Sequence, residues 1–133
     1  MDIKRDIETR ADIEIFIRAF YEKVTVDPVI GKIFTEIFPL DWAHHIPVIT
    51  DFWETILLDN PVYKKNAMQV HYEMNKTFPF KKEHFDAWLH LFNSTLDEMY
   101  TGEKMQLAKK RAAGIAQLMQ FKMGTGISSI PLR

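Results

Sequence analysis

The sequence predicts an all-α fold in a single domain. Apolar residues recur at the i, i+3, i+4, i+7 spacing of amphipathic helices along almost the whole chain, and no segment alternates apolar and polar residues as a half-buried strand does. Capping residues and prolines break the pattern at helix-length intervals. The 133 residues suffice for one domain with a real core, and 47% hydrophobic against 26% charged is an ordinary globular balance.

Thr9 is placed to cap a first helix over about 10–25, with Asp12 at the third position for a capping box. Ile13, Phe16, Ile17, Phe20, Tyr21 and Val24 form its inward stripe. Residues 1–8 read as an N-terminal extension. Asp27-Pro28 reads as a cap with proline in the first turn, opening a short helix that turns Ile30, Ile33, Phe34 and Ile37 inward. Asp41 is expected to cap a helix whose face is Trp42, His45, Ile46, Ile49, Phe52, Trp53 and Ile56, with His44 turned to water. Pro47 falls too late for a first-turn residue and predicts a kink or a delayed start. Asn60-Pro61 marks a turn. Asn66 can cap a short helix with Ala67, Val70, His71 and Met74 on one face, which Pro79 ends. A long helix follows over about 81–100, with Phe85, Trp88, Leu89, Phe92, Leu96 and Met99 inward. Thr101 is placed to cap a last helix to about 122 along Leu107, Arg111, Ile115 and Leu118, and 124–133 reads as a loose tail.

Several function classes drop out. A net charge of −1 with no basic block argues against nucleic acid. The absence of cysteine removes disulfides, thiolate metal sites and a cysteine nucleophile. The N-terminus is charged from its second residue, with no signal-peptide core, and no apolar run nears the roughly 18–20 residues of a membrane span. A cytoplasmic protein with no membrane partner is the expectation. H-E-x-x-H, a phosphate-cradling glycine loop and the G-x-S-x-G elbow are missing, as are the Glu-x-x-His pairs of di-iron bundles.

Five histidines remain, at 44, 45, 71, 84 and 90. His44 and His90 fall on polar sides and His84 at the edge of a first turn, the usual places of surface or structural histidines. His45 and His71 replace apolar residues on buried stripes, so each is either a satisfied core histidine or a ligand. A buried imidazole lacking partners costs about 1–3 kcal/mol. Tyr21, His45, His71 and the indole N–H of Trp88 thus form an inward polar set, one on each of four helices. Alone, Tyr21 or Trp88 would read as core. Together, one imidazole ligand and several donors among aromatic walls suit a haem.

The stretches "FYEKVTVDPVIGKIF" (20–34), "WAHHIPVITDFWETILL" (42–58), "YKKNAMQVH" (63–71), "HFDAWLHLF" (84–92) and "RAAGIA" (111–116) carry a resemblance to the truncated haemoglobins of group III, over about residues 14–122. That resemblance implies a shortened globin, a two-over-two helical sandwich around haem b. It implies His71 as the proximal iron ligand and Tyr21, His45 and Trp88 as distal groups. Ile49 and Phe52 would lie along the haem, with Phe34, Phe78 and Phe85 as further walls. It implies binding or transport of dioxygen or of other diatomic ligands, nitric oxide and carbon monoxide included. Nitric-oxide detoxification or peroxidase-like turnover, with a reductase partner, would be the enzymatic forms. Lys64, Lys65, Lys81 and Lys82 are candidate propionate partners. The alternative is a haem-free helical interaction module that keeps the globin shape.

Overall fold

The computed structural model describes residues 4–65, 71, 74–76 and 78–124. Helix α1 spans Arg10–Val26 and begins as expected: the Asp12 N–H donates to Thr9 Oγ1 at 3.2 Å, and the Thr9 N–H donates back to Asp12 Oδ2 at 3.0 Å. Its six apolar stripe residues are all buried, and Phe16 and Phe20 meet Phe92 edge-on at 5.0 and 5.5 Å. Asp27 ends the helix and accepts the N–H groups of Val29 and Ile30. The chain then passes so close to α1 that a Cβ on Gly31 would lie 2.8 Å from the Thr25 carbonyl oxygen.

Residues Ile33–Ile37 form a π-helical turn, with the Phe38 N–H donating to the Ile33 carbonyl at 2.8 Å. The wider turn advances each residue by a smaller angle than an α-helix does. Ile30 and Ile33 are therefore buried while Ile37, expected inward, is exposed.

Helix α2, Trp42–Leu57, runs through Pro47 without a delayed start. Asp41 caps it through its backbone carbonyl, which accepts from His44 and His45, and not through its side chain. The fully buried line is Ile46, Thr50, Trp53 and Leu57. The buried Thr50 hydroxyl donates to the Ile46 carbonyl at 2.7 Å, which satisfies it locally. His45, Ile49, Phe52 and Ile56 lie one residue round the helix, about 100° away, and are half-buried.

Helix α3, Lys82–Met99, begins with the Lys81 N–H donating to His84 Nδ1 at 2.9 Å, so His84 serves as a cap and His90 faces water. Helix α4, Glu103–Met119, departs from expectation in two ways. Its buried line is Met105, Ala108, Ala112, Ala116 and Met119. Of the predicted stripe, Leu107 and Ile115 are half-buried while Arg111 and Leu118 are exposed. Small alanines make up the middle of the buried line, and the bulkier residues flank it. Nor does Thr101 cap it. Gly102, at φ 135°, holds that position, and Asp6 accepts the Lys104 and Met105 N–H groups at 2.8 and 2.9 Å. Residues 4–8 are thus bound into the fold, with Ile7 buried and the Thr101 N–H donating to the Arg5 carbonyl.

Helix α1 packs on α2 and on α3, α3 on α4, and α2 on α4. The result is the two-over-two sandwich. His71 and residues 74–76 have helical backbone between the pairs in sequence. The predicted Asn66 cap, Ala67 and Val70 lie outside the described residues, as does the tail from 125 on. Among the described residues there is no strand, and no helix is long and apolar enough to cross a membrane.

Candidate haem pocket

Tyr21 projects from the inward face of α1, with Phe20, Phe34, Trp42 and His45 edge-on around its ring at 5.0, 5.8, 5.2 and 5.2 Å. Its hydroxyl lies 3.0 Å from His45 Nε2, on the first turns of α2. The hydroxyl donates when the imidazole carries its proton on Nδ1 and accepts when the proton sits on Nε2. Burial pushes the Tyr21 phenol well above its ordinary range, because a phenolate there would lose its hydration. Burial also lowers His45, and the charges that His71 and His44 would carry lower it further. The same effect places His71 within electrostatic reach of His45. As its stripe position predicts, His45 points in, while His44 is exposed.

The half-buried flank of α2 continues through Ile49 to Phe52, whose ring meets Trp53 at 5.3 Å and Tyr63 at 5.2 Å. The loop carrying Tyr63 is fixed to the end of α2. Thr55 Oγ1 accepts the N–H groups of Val62 and Tyr63 at 3.2 and 3.0 Å and itself donates to the Asp51 carbonyl. Below it, Glu54 takes the Arg10 guanidinium at 2.7 Å and the Asn60 amide. The Arg10 hydrogen bond is the main reason that the Glu54 carboxyl lies below its ordinary range.

The other sequence-predicted residues fall in two groups. Trp88 on α3 stacks on Phe92 at 5.1 Å and meets Phe20 edge-on at 5.9 Å. Phe78 and Phe85 gather around Phe80, at 5.8 and 6.3 Å, with His84 5.5 Å from Phe78. Of the lysines, Lys82 is paired with Asp86 at 2.6 Å, and Lys64, Lys65 and Lys81 are exposed. Tyr63 and Trp42 were not singled out from the sequence as site residues. Trp42 carried a signal, being three residues before His45 on the same stripe. Tyr63 sits in a loop, where no periodicity marks an inward position. A separate cavity of about 450 Å³ is lined, among the described residues, by Leu107, Lys110, Arg111, Gly114 and Ile115, none of them a predicted site residue.

Among the described residues no three His, Asp or Glu side chains gather to hold a bare metal ion. Imidazoles at positions 45 and 71, a half-covered apolar flank and the buried Tyr21 hydroxyl suit a metal that arrives inside a flat apolar cofactor. The residues present fit a haem in these respects.

No family model matches the sequence. Group 3 truncated hemoglobin ctb of Campylobacter jejuni is 33% identical over 111 residues, which are 79% of this chain and 85% of that protein. The crystal structure of a group III truncated hemoglobin from Campylobacter jejuni superposes with a TM-score of 0.80 at 28% identity, covering 93% of this chain and 98% of the other. The sequence match spans more than three quarters of both molecules and the backbone match more than nine tenths, and the chain belongs to the group III truncated haemoglobins.

Proposed function

We propose that the protein binds haem b through His71 and uses Tyr21, His45 and Trp88 to govern a diatomic ligand. The observation that carries this reading is the Tyr21–His45 pair, a buried hydroxyl against a half-buried imidazole, beside an apolar flank of α2 that the protein's own core leaves half covered. When bound, the haem iron supplies an open coordination position for dioxygen, nitric oxide or carbon monoxide.

The chain's own groups then divide the work. The His71 imidazole provides a neutral nitrogen to the metal. Ile49 and Phe52 offer apolar surface to the porphyrin, and Phe34, Phe78 and Phe85 extend it. Tyr21 has a single hydroxyl proton. With the His45 proton on Nε2, His45 donates to Tyr21 and frees the hydroxyl to donate to the ligand, and each bond strengthens the other. With the proton on Nδ1, Tyr21 donates to His45 and withholds that proton from the ligand. Trp88 N–H is a donor in either state. Each such bond contributes about 0.5–1.5 kcal/mol net, and two together slow ligand escape by roughly tenfold at about 1.4 kcal/mol per decade. Donors aimed at a partly negative ligand suit retention of dioxygen. The same donors suit nitric-oxide detoxification or peroxidase-like turnover once a reductase partner is supplied.

The test is optical. The purified chain mixed with hemin should develop an intense Soret band that shifts with carbon monoxide, and His71→Ala should release the haem far faster than the parent. A chain that stays colourless ends the haem reading in favour of a haem-free interaction module. A variant that keeps haem as firmly as the parent ends the His71 assignment.

A further inference from the structure

The Tyr21 hydroxyl is buried with a base against it, His45 Nε2 at 3.0 Å. Its ring meets the indole of Trp42 at 5.2 Å, and Trp42 also meets the His45 ring at 6.0 Å. Trp42 opens α2 and is only half-buried. A phenol, a base on its oxygen and an indole leading to the surface are the three parts of a one-electron relay. We propose that Tyr21 is a redox-active tyrosine, with His45 as its proton acceptor and Trp42 as the conduit to a reductant at the surface.

The chemistry follows from burial. A phenol that loses an electron becomes a strong acid, and the resulting cation is costly in an apolar site unless the proton leaves with the electron. Prior loss of the proton is blocked, because burial disfavours the phenolate. His45, held neutral by its surroundings, can take the proton at Nε2 when its own proton sits on Nδ1.

The step balances. One electron passes from Tyr21 to the oxidant and the O–H bond breaks. A new N–H bond forms on His45, leaving a neutral tyrosyl radical beside an imidazolium. Trp42 then returns an electron to Tyr21, the proton goes back from Nε2 to the oxygen, and a phenolic or enediol reductant in solution refills Trp42. The oxidant is of the peroxide-activated haem class, and in that respect alone the inference rests on the function proposed above. Tyr21 has other ring neighbours, but Phe20 and Phe34 are far harder to oxidise. Phe20 also stands between Tyr21 and Trp88, touching them at 5.0 and 5.9 Å. The easy path is therefore through Trp42.

The relay can be tested without haem. The full-length protein is photo-oxidised with a flash-generated ruthenium(III) polypyridyl complex and followed by transient absorption and by electron paramagnetic resonance. A neutral tyrosyl signal is expected that disappears in Tyr21→Phe and forms more slowly in heavy water. In Trp42→Phe it should form at least about tenfold more slowly, a barrier difference of about 1.4 kcal/mol. An undiminished signal in Tyr21→Phe, or an unchanged rate in Trp42→Phe, overturns the proposal. The heavy-water comparison needs no variant, and equal rates in the two solvents overturn the role of His45. Freeze-quenched samples of hemin-loaded protein with hydrogen peroxide give the second arm. A photochemical radical in a chain that does not retain hemin upholds the relay and defeats the haem reading. Bound hemin with no radical in either arm does the reverse.

Discussion

Arg5 grips Asp12 with both guanidinium nitrogens, Nη1 to Oδ2 at 2.9 Å and Nη2 to Oδ1 at 2.6 Å. Asp12 is buried, and its carboxylate also accepts the N–H groups of Glu8 and Thr9. The Arg5 hydrogen bond is the main reason that Asp12 lies far below the usual carboxylate range, and Arg10 acts likewise on Glu54.

Acid sensitivity follows with a definite sign. Groups whose folded pKa is depressed contribute stability that is present above their unfolded values, 3.8 for Asp12 and 4.5 for Glu54. That stability is lost as pH falls through the lower folded values. Urea midpoints measured between pH 7 and 2 should therefore drop steeply below about pH 4.5. Asp12→Asn should lose about 1–3 kcal/mol at pH 7 and flatten the acid limb.

His84 should act with the same sign, but as a neutral group. Its Nδ1 accepts from Lys81 only when unprotonated, and burial lowers its affinity for a proton. The folded pKa lies below the ordinary 6.5, so the cap is fully present above that value and is lost as pH falls through the folded one. A nuclear magnetic resonance titration should find His84 titrating below 6.5. His84→Ala should cost about 0.5–2 kcal/mol, the range for a lost helix cap.

The register of α4 can be tested with one pair of substitutions. Ala112→Leu pushes a large side chain into the fully buried helix contact and should cost about 1–3 kcal/mol. Ala113→Leu, one residue on and exposed, should stay within about 0.5 kcal/mol of the parent. Equal effects would contradict the alanine seam.

Ligand kinetics address the distal groups. In the hemin-loaded protein, Tyr21→Phe and Trp88→Phe should each speed dioxygen dissociation, by roughly fivefold to tenfold for the loss of about 1 kcal/mol or more. Stopped-flow displacement by carbon monoxide reads the rate, and an unchanged rate in both variants would remove the donor account.

Local signals explain what could be read ahead of the structure. Helix α1 was legible in full, because its cap, capping box and apolar stripe all lie within a few residues of one another. The inward placement of His45 was legible from its spacing to Trp42 and Ile49. Its bond to Tyr21 was not, since periodicity assigns a side chain to a face but does not say what meets it across the core. The seam of α4 was misread because a hydrophobic pattern weights Leu107 and Ile115 over Ala108 and Ala112, although close helix contact favours the smaller residues. The π turn at Ile33–Ile37 also escaped, as an apolar spacing does not distinguish it from a short α-helix. The Tyr63 loop has no periodicity from which to find it.

The carboxylate at position 6 closes the fold from the far end of the chain, since it sits 98 and 99 residues from the amides it holds. Such a latch cannot form on a ribosome until the start of α4 has emerged, and it adds a contact of long sequence separation, the kind that slows folding. Amide exchange at Lys104 and Met105 therefore reports on the opening of the first residues as much as on the helix they begin. A protease that clips ahead of Ile7 would loosen a helix at the opposite end of the sequence.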